Sequence, residues 1–318
     1  KITKNMLTKK TLIPVLLFSC VSAFSQISFG DSKKINDNWK FNLQETPEAK
    51  NNVFDDSKWQ QVNVPHDWSV KGQLSPTLAS CQGYLPGGIA WYRKSINIPQ
   101  SKSGEKVYLY FEGVYNRSEV FINGHSLGKR PNGYISFAYD ATPFVKFGGE
   151  NTISVRVDHS QSADSRWYTG SGIYRNVRLV TSEKLHVGKW GTFVTTPEVS
   201  TKKSKVHLEV TIDNDNDSAR EFTLVTSILD AKNKEVANRI SIEKIAAKTF
   251  ETKVHNIDVQ KPQLWDIENP YLYKVITKIY EKSILVDNYE TPLGFRYFNF
   301  DAEKGFSLNG VPTKILGV

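Results

Sequence analysis

Val206-His-Leu-Glu-Val-Thr-Ile212 alternates apolar and polar residues without a break. A strand turns successive side chains to opposite faces, so Val206, Leu208, Val210 and Ile212 share one face and His207, Glu209 and Thr211 the other. A helix would scatter the same residues around its circumference. The pattern recurs at Val107/Leu109/Phe111, Ile153/Val155/Val157 and Tyr271/Tyr273/Val275/Thr277/Ile279, and from Ile27 onward no helical period of useful length interrupts it. Each strand is expected to lay one face on a core and leave the other in solvent. Turn residues punctuate the chain at intervals of about ten residues, the rhythm of β-sandwiches. Asn123-Gly124 and Asn309-Gly310 separate strand-like runs. Asn-Gly suits a type I′ turn, whose central residues both need positive φ. The second pair predicts a hairpin of Gly305–Leu308 with Thr313–Val318.

A boundary falls near Thr181-Ser182-Glu183. Before it the chain is rich in Trp, Tyr and Gly and carries irregular loops such as 73–88. After it come plainer strands joined by charged runs, Lys202 to Lys205, Asp213 to Asp217 and Asp230 to Glu235, which read as solvated turns. The second segment, roughly 110 residues, has the size and strand count of an immunoglobulin-like sandwich. No repeat of solenoid period is present.

The 318 residues suffice for two domains. Of the net charge of +8, Lys1, Lys4, Lys9 and Lys10 supply four units before any acidic residue appears. The remainder is a weakly basic surface without a Lys/Arg block, which argues against nucleic-acid binding. Residues 6–25 have the form of a secretory signal: Lys9-Lys10, an apolar run from Leu12 to Val21, and Ala23-Phe24-Ser25 as a cleavage site. That run is too short to cross a bilayer. Residues 1–25 are expected to be removed, giving a periplasmic or secreted protein that begins at Gln26. In the competing reading Leu17-Phe18-Ser19 is a loose lipobox and Cys20 is lipid-modified. Cys81 is then a lone thiol, expected to be packed rather than reactive. The chain begins at Lys1, its single methionine is Met6, and it ends on an apolar run, so it reads as a piece of a longer gene product.

Three further runs carry more information. Phe54 to Trp68 reads FDDSKWQQVNVPHDW, with Asp56-Ser57 expected to cap a turn, Trp59 to anchor a core and Pro65 to end a strand. Gly87 to Lys94 reads GGIAWYRK, and Ser165 to Val177 reads SRWYTGSGIYRNV. In this order they resemble the N-terminal part of glycoside hydrolase family 2, the β-galactosidases, β-glucuronidases and β-mannosidases. The resemblance continues through Leu264-Trp-Asp-Ile-Glu-Asn-Pro-Tyr-Leu-Tyr273, Gly294-Phe-Arg296 and Gly305-Phe-Ser-Leu-Asn-Gly310. It implies an all-β chain: a jelly-roll-like, galactose-binding-like sandwich over 27–182, an immunoglobulin-like sandwich over 183–291, and at 292–318 the opening of a (β/α)8 catalytic barrel. It further implies a retaining exo-glycosidase, β-galactosidase-like, whose two catalytic carboxyls belong to barrel strands beyond Val318. No catalytic residue is therefore expected in this chain. The alternatives are a free-standing carbohydrate-binding protein and an adhesin of β-sandwiches, the latter disfavoured because no tandem similarity is seen.

The resemblance also implies that a loop of the first domain helps form the terminal-sugar pocket, and Asp164, Arg166, Trp167 and Tyr168 match that loop. An aromatic face stacks on the C–H face of a pyranose, and a guanidinium offers paired donors to hydroxyls. In the plainer reading Trp167 is core, Tyr168 pairs with backbone and Arg175 ties a turn. Family galactosidases often carry an acidic residue where Ser165 stands; Asp164 is its neighbour. Asp67, Glu112, Asp158 and Asp164 otherwise read as turn caps or surface charges. His66, His125, His159, His186, His207 and His255 never fall at metal-ligand spacing, and Gly170-Ser171-Gly172 lacks the third glycine and helix of a dinucleotide site. The expected partner is an oligosaccharide, with no cofactor, no metal, no nucleic acid and no membrane span; oligomerisation of the longer enzyme is left open.

Overall fold

The computed structural model describes residues 30–161 and 167–317. The expected signal peptide with Cys20, the site candidates Asp164 and Arg166, Ser165 and the side chain of Cys81 lie outside what is described. Among the described residues the chain is all-β, with helix confined to five short 3-10 segments.

Ten strands build the first unit: β1 (Asp31–Lys34), β2 (Trp39–Asn42), β3 (Gln60–Val62), β4 (Gly88–Ile98), β5 (Lys106–Phe111), β6 (Ser118–Ile122), β7 (His125–Arg130), β8 (Phe137–Asp140), β9 (Gly149–His159) and β10 (Val177–Ser182). They form a six-stranded sheet, β3-β2-β4-β9-β6-β7, and a four-stranded sheet, β1-β10-β5-β8. The apolar faces meet in a core of Trp39, Tyr92, Leu109, Phe111, Phe137 and Val155, all buried, as in a jelly roll. Asn123 and Gly124 have φ of 50° and 83°, so the β6–β7 turn takes the backbone expected of Asn-Gly.

The long connection between β2 and β3 is tied down by a buried cation. Arg93 Nε pairs with Asp56 Oδ2 at 2.7 Å while its Nη1 donates to Ala49 O, to Asn51 O (3.0 Å) and to Ser154 Oγ (3.2 Å). Asp56 is therefore an ion-pair partner. The turn is capped instead by Asp55, whose Oδ1 accepts the Ser57 N–H at 2.9 Å. Trp59 packs edge-on against Phe54 in a small satellite cluster rather than in the main core.

Seven strands make the second unit: β11 (Leu185–Glu198), β12 (Lys203–Asn214), β13 (Arg220–Leu229), β14 (Glu235–Ile245), β15 (Thr249–Gln260), β16 (Tyr273–Glu281) and β17 (Ile284–Leu293). Their sheets, β11-β12-β15 and β14-β13-β16-β17, stack as an immunoglobulin-like sandwich. Val206, Leu208, Val210 and Ile212 are all fully buried between them, on the single face their spacing gives.

One expectation of the alternation fails in an instructive place. In β5, Val107, Leu109 and Phe111 enter the first core, but Tyr108 and Tyr110 on the opposite face do not meet solvent. With Val180 and Ala138 they pack into the core of the second sandwich, against residues such as Leu185 and Val187. The central strands β10 and β5 of the four-stranded sheet are thus covered on both sides, while the edge strand β1 exposes Asp31, Lys33 and Lys34. Lys106 spans the same junction, 2.6 Å from Asp140 Oδ2 and 3.4 Å from Asp215 Oδ1.

At the end of the chain β18 (Phe298–Asp301), β19 (Gly305–Leu308) and β20 (Val311–Pro312) form a small antiparallel sheet. Asn309 and Gly310 take positive φ, as a type I′ turn requires. The returning strand is Val311–Pro312, not Thr313–Val318: Pro312 faces Ser307, Thr313 N still donates to Phe306 O at 2.9 Å, and the pairing goes no further. Phe295 also departs from the reading of Gly294-Phe-Arg296 as the start of a new domain. It is fully buried in the second core, edge-on to Tyr273.

Two buried ionisable groups of the second sandwich titrate in opposite senses. Burial pushes the Asp287 carboxyl up to about 6, with the Val187 N–H, 2.7 Å from Oδ2, holding it back. Burial likewise pushes the His186 imidazole down to about 4. Because folded Asp287 keeps a proton the unfolded chain has lost, its contribution falls as pH rises from the usual carboxylate range to about 6. His186 refuses a proton the unfolded chain takes, so its contribution rises from about 4 to the usual imidazole range. Asp287→Asn keeps a carbonyl acceptor for Val187 and deletes only the first effect. The melting-temperature difference between Asp287→Asn and wild type is expected to grow in the variant's favour up to about pH 6 and then level off. A difference that does not change with pH would contradict this assignment.

Candidate functional site

Four loops meet at one end of the first sandwich, because antiparallel strands return every second connection to the same edge. They follow β3, β5, β7 and β9, at residues 63–87, 112–117, 131–136 and 160–176. The loop after β9 is bound to its neighbours through backbone. His66 N donates to Ile173 O, Trp68 N to Ser171 O, and Tyr115 and Gly172 exchange both of their bonds at 2.8 and 2.9 Å.

Asp67 is the centre of this end. Its Oδ1 accepts the Ser69 N–H at 2.9 Å, which is an ordinary turn cap, but also the Ser171 N–H at 3.0 Å from the far loop. Oδ2 accepts the Tyr168 hydroxyl at 2.5 Å. Burial, and then this bond to Asp67, raise the Tyr168 phenol above its usual range, so it stays a donor. Gly170 has φ +73°, and a Cβ there would lie 2.8 Å from Asp67 Oδ2. Only glycine lets the loop pass so close to the carboxylate.

Beneath Asp67 runs a buried chain of hydrogen bonds whose direction can be deduced. The Gln82 amide nitrogen only donates, so His159 Nε2 must accept from it and the ring carries its proton on Nδ1. Nδ1 donates to Ser171 Oγ at 2.6 Å. Ser69 Oγ spends its proton on Pro86 O at 2.6 Å, so it accepts from Ser171 Oγ at 2.5 Å. Gln82, His159, Ser171 and Ser69 are all buried, and every donor in the series has an acceptor. His66 belongs to a separate pair, its Nδ1 2.8 Å from the Tyr92 hydroxyl, and burial followed by the Lys71 charge lowers its pKa.

Of the sequence candidates, Trp167 and Tyr168 are brought to this end and Asp164 and Arg166 lie in the undescribed part of the same loop. Trp167 is not core: it is 61% exposed and its Nε1 donates to the Tyr134 hydroxyl at 3.2 Å. Tyr168 pairs with a carboxylate rather than with backbone. Tyr134, Tyr115 and the relay were not identified from sequence. A signal did exist in Gly133, where a Cβ would strike the Tyr115 ring at 2.2 Å. The remaining acids are engaged elsewhere, Glu112 with Arg178 and Asn176, Asp158 with Arg156 and Ser160. No group of His, Cys, Asp or Glu able to hold a metal ion occurs among the described residues.

Comparison with known proteins assigns this pair of stacked sandwiches to a family. Residues 32–183 match the sugar binding domain of glycosyl hydrolases family 2, and residues 186–296 match a second domain of glycosyl hydrolases family 2. The chain belongs to glycoside hydrolase family 2. It is 43% identical over 299 residues to the β-galactosidase BoGH2A of Bacteroides ovatus, covering 93% of this chain and 35% of that protein. A putative β-glucuronidase of Formosa agariphila is 37% identical, covering 89% of this chain and 27% of that protein. A crystal structure of a family 2 member from Bacteroides cellulosilyticus superposes with a TM-score of 0.85 at 34% identity, over 89% of this chain and 37% of that one. The chain thus spans about a third of the length of these relatives.

Asp67→Ala strands the Ser69 and Ser171 N–H groups, and a stability loss of about 1–3 kcal/mol is expected in urea unfolding. Tyr168→Phe removes one bond at the surface and should cost less than about 1 kcal/mol. Equal losses for the two variants would show that Asp67 does not hold the loops together.

Proposed function

We propose that this chain is the sugar-recognising N-terminal part of an exported, exo-acting retaining β-glycosidase that removes terminal sugars from oligosaccharides. A β-galactoside is the favoured substrate, since the 43% identical relative is a β-galactosidase; β-glucuronidases among the relatives make the uronide the second choice. The observation that carries the site reading is the exposed Trp167 ring, held on a loop braced by Asp67 through its neighbours Tyr168 and Ser171. Such a ring presents a flat apolar face to a pyranose, and Arg166, one residue before it, would add paired donors to hydroxyls. Asp164 would stand in for the acidic residue that Ser165 displaces. Tyr168 contributes through its bond to Asp67, which orients the loop.

Retaining hydrolysis needs two carboxyl groups about 5–5.5 Å apart, one protonated and one ionised. The acids described at or next to this end, Asp67, Glu112 and Asp158, serve as caps, hydrogen-bond acceptors and ion-pair partners. The family's nucleophile and acid therefore belong to the catalytic barrel of the longer enzyme. Residues 26–318 are expected to turn over no nitrophenyl β-galactoside, β-glucuronide or β-mannoside. In the longer enzyme Trp167→Ala is expected to lower kcat/KM by about 1–3 kcal/mol of transition-state binding. Turnover by the isolated chain that disappears on mutating one of its own carboxylates would overturn the assignment. Unchanged kinetics for Trp167→Ala would remove Trp167 from the sugar pocket.

A further inference from the structure

We infer that Tyr134 is a second sugar-contacting residue, forming with Trp167 a two-ring platform that takes the apolar face of a β-linked pyranosyl unit. This rests on the carbohydrate reading above and names the residue that would shape its specificity. The two rings come from different loops, after β7 and after β9, yet they are joined by the 3.2 Å bond from Trp167 Nε1 to the Tyr134 hydroxyl. Both stay open to solvent, Trp167 at 61% and Tyr134 at 51% exposure. A surface tyrosine of that exposure ordinarily samples several rotamers, whereas this one is fixed on several sides. Its ring rests edge-on against Tyr115, 5.4 Å between centroids, and Tyr115 in turn packs on His159 at 4.9 Å, joining the platform to the buried relay.

Its backbone is pinned as well. Asn132 Oδ1 accepts both the Tyr134 and Ile135 N–H groups, at 2.8 and 3.1 Å, and the Tyr174 hydroxyl donates to Gly133 O at 2.8 Å. Gly133 must lack a side chain for Tyr115 to lie underneath. Exposed aromatic rings with little rotamer freedom bind at low entropic cost. The chemistry of the pair is that of a pyranoside site rather than of a protein contact. By accepting from Trp167, the phenol is left with its own O–H to donate to a sugar hydroxyl beside the stacked face. β-Galactosides and β-glucuronides both turn the axial hydrogens H1, H3 and H5 to one face, which suits such a platform.

The test is saturation-transfer NMR on the 318-residue chain, with methyl β-galactopyranoside and methyl β-glucuronide titrated separately. Saturation is expected to enter chiefly at H1, H3 and H5 of whichever glycoside binds. Tyr134→Ala should weaken binding about three- to tenfold, the loss of one aromatic contact. Tyr134→Phe, which keeps the ring and frees Trp167, should fall between wild type and Tyr134→Ala; it remains informative if the alanine variant does not fold. Affinity unchanged in both variants, or no saturation of the sugar C–H protons by the wild type, would overturn the proposal. The two readings fail separately. Tyr134-dependent binding without hydrolysis by the longer enzyme sinks the glycosidase assignment alone. Hydrolysis with Tyr134-independent binding sinks the platform alone.

Discussion

The central strands β10 and β5 of the sheet β1-β10-β5-β8 are covered on both faces, and the rest of the architecture follows from that. Strand β5 sends Val107, Leu109 and Phe111 into one core and Tyr108 and Tyr110 into the next. An ordinary antiparallel sheet shows one face to water. Here that face is taken by the second sandwich, so the two units share a wall rather than a flexible linker. Only Glu183 and Lys184 separate β10 from β11, so the second sandwich starts directly beside this wall. The rings of Tyr108 and Tyr110 fill this junction with a large apolar area.

With one sheet fixed from behind, the loops at the end of the first sandwich can be tied to one another without strain on the strands. Asp67 does this with a single carboxylate, capping its own turn and holding Ser171 and Tyr168 of another loop. The relay from Gln82 to Pro86 O then locks the same loops from below, each donor meeting an acceptor. A half-satisfied network at this depth would be costly, whereas a completed one confers rigidity. The exposed rings of Trp167 and Tyr134 therefore stand on a rigid base, the condition for binding a weakly held ligand such as a sugar.

The strands were legible in the sequence because period-two alternation is a direct consequence of strand geometry. The two Asn-Gly turns were legible because few other pairs tolerate positive φ at both positions. What escaped was anything set by a neighbour distant in sequence. Alternation at 107–111 cannot say whether the polar-leaning face meets water or a second domain. Thr313–Val318 read as a strand on hydrophobicity, but its pairing with β19 stops at the bond from Thr313 N to Phe306 O. Asp67 read correctly as a turn cap, and nothing local could reveal that its other bonds reach Tyr168 and Ser171. Trp167 and Tyr168 were marked by their motif, whereas Tyr134 lies in the run Pro131-Asn-Gly-Tyr134, which has no sugar-site signature without its spatial partner.

The loop-built end of the first sandwich, on which the proposed sugar site rests, has to be formed by this chain itself, before any ligand or further domain is added. Native-state hydrogen exchange on the 318-residue chain measures this at the atoms concerned. The amides of Ser171 and Gly172, which donate to Asp67 and to Tyr115 O, are predicted to be protected as strongly as the central amides of β4 and β9. Exchange of those two amides at the rate of an open loop would mean that the site is not preformed, and the account would fail.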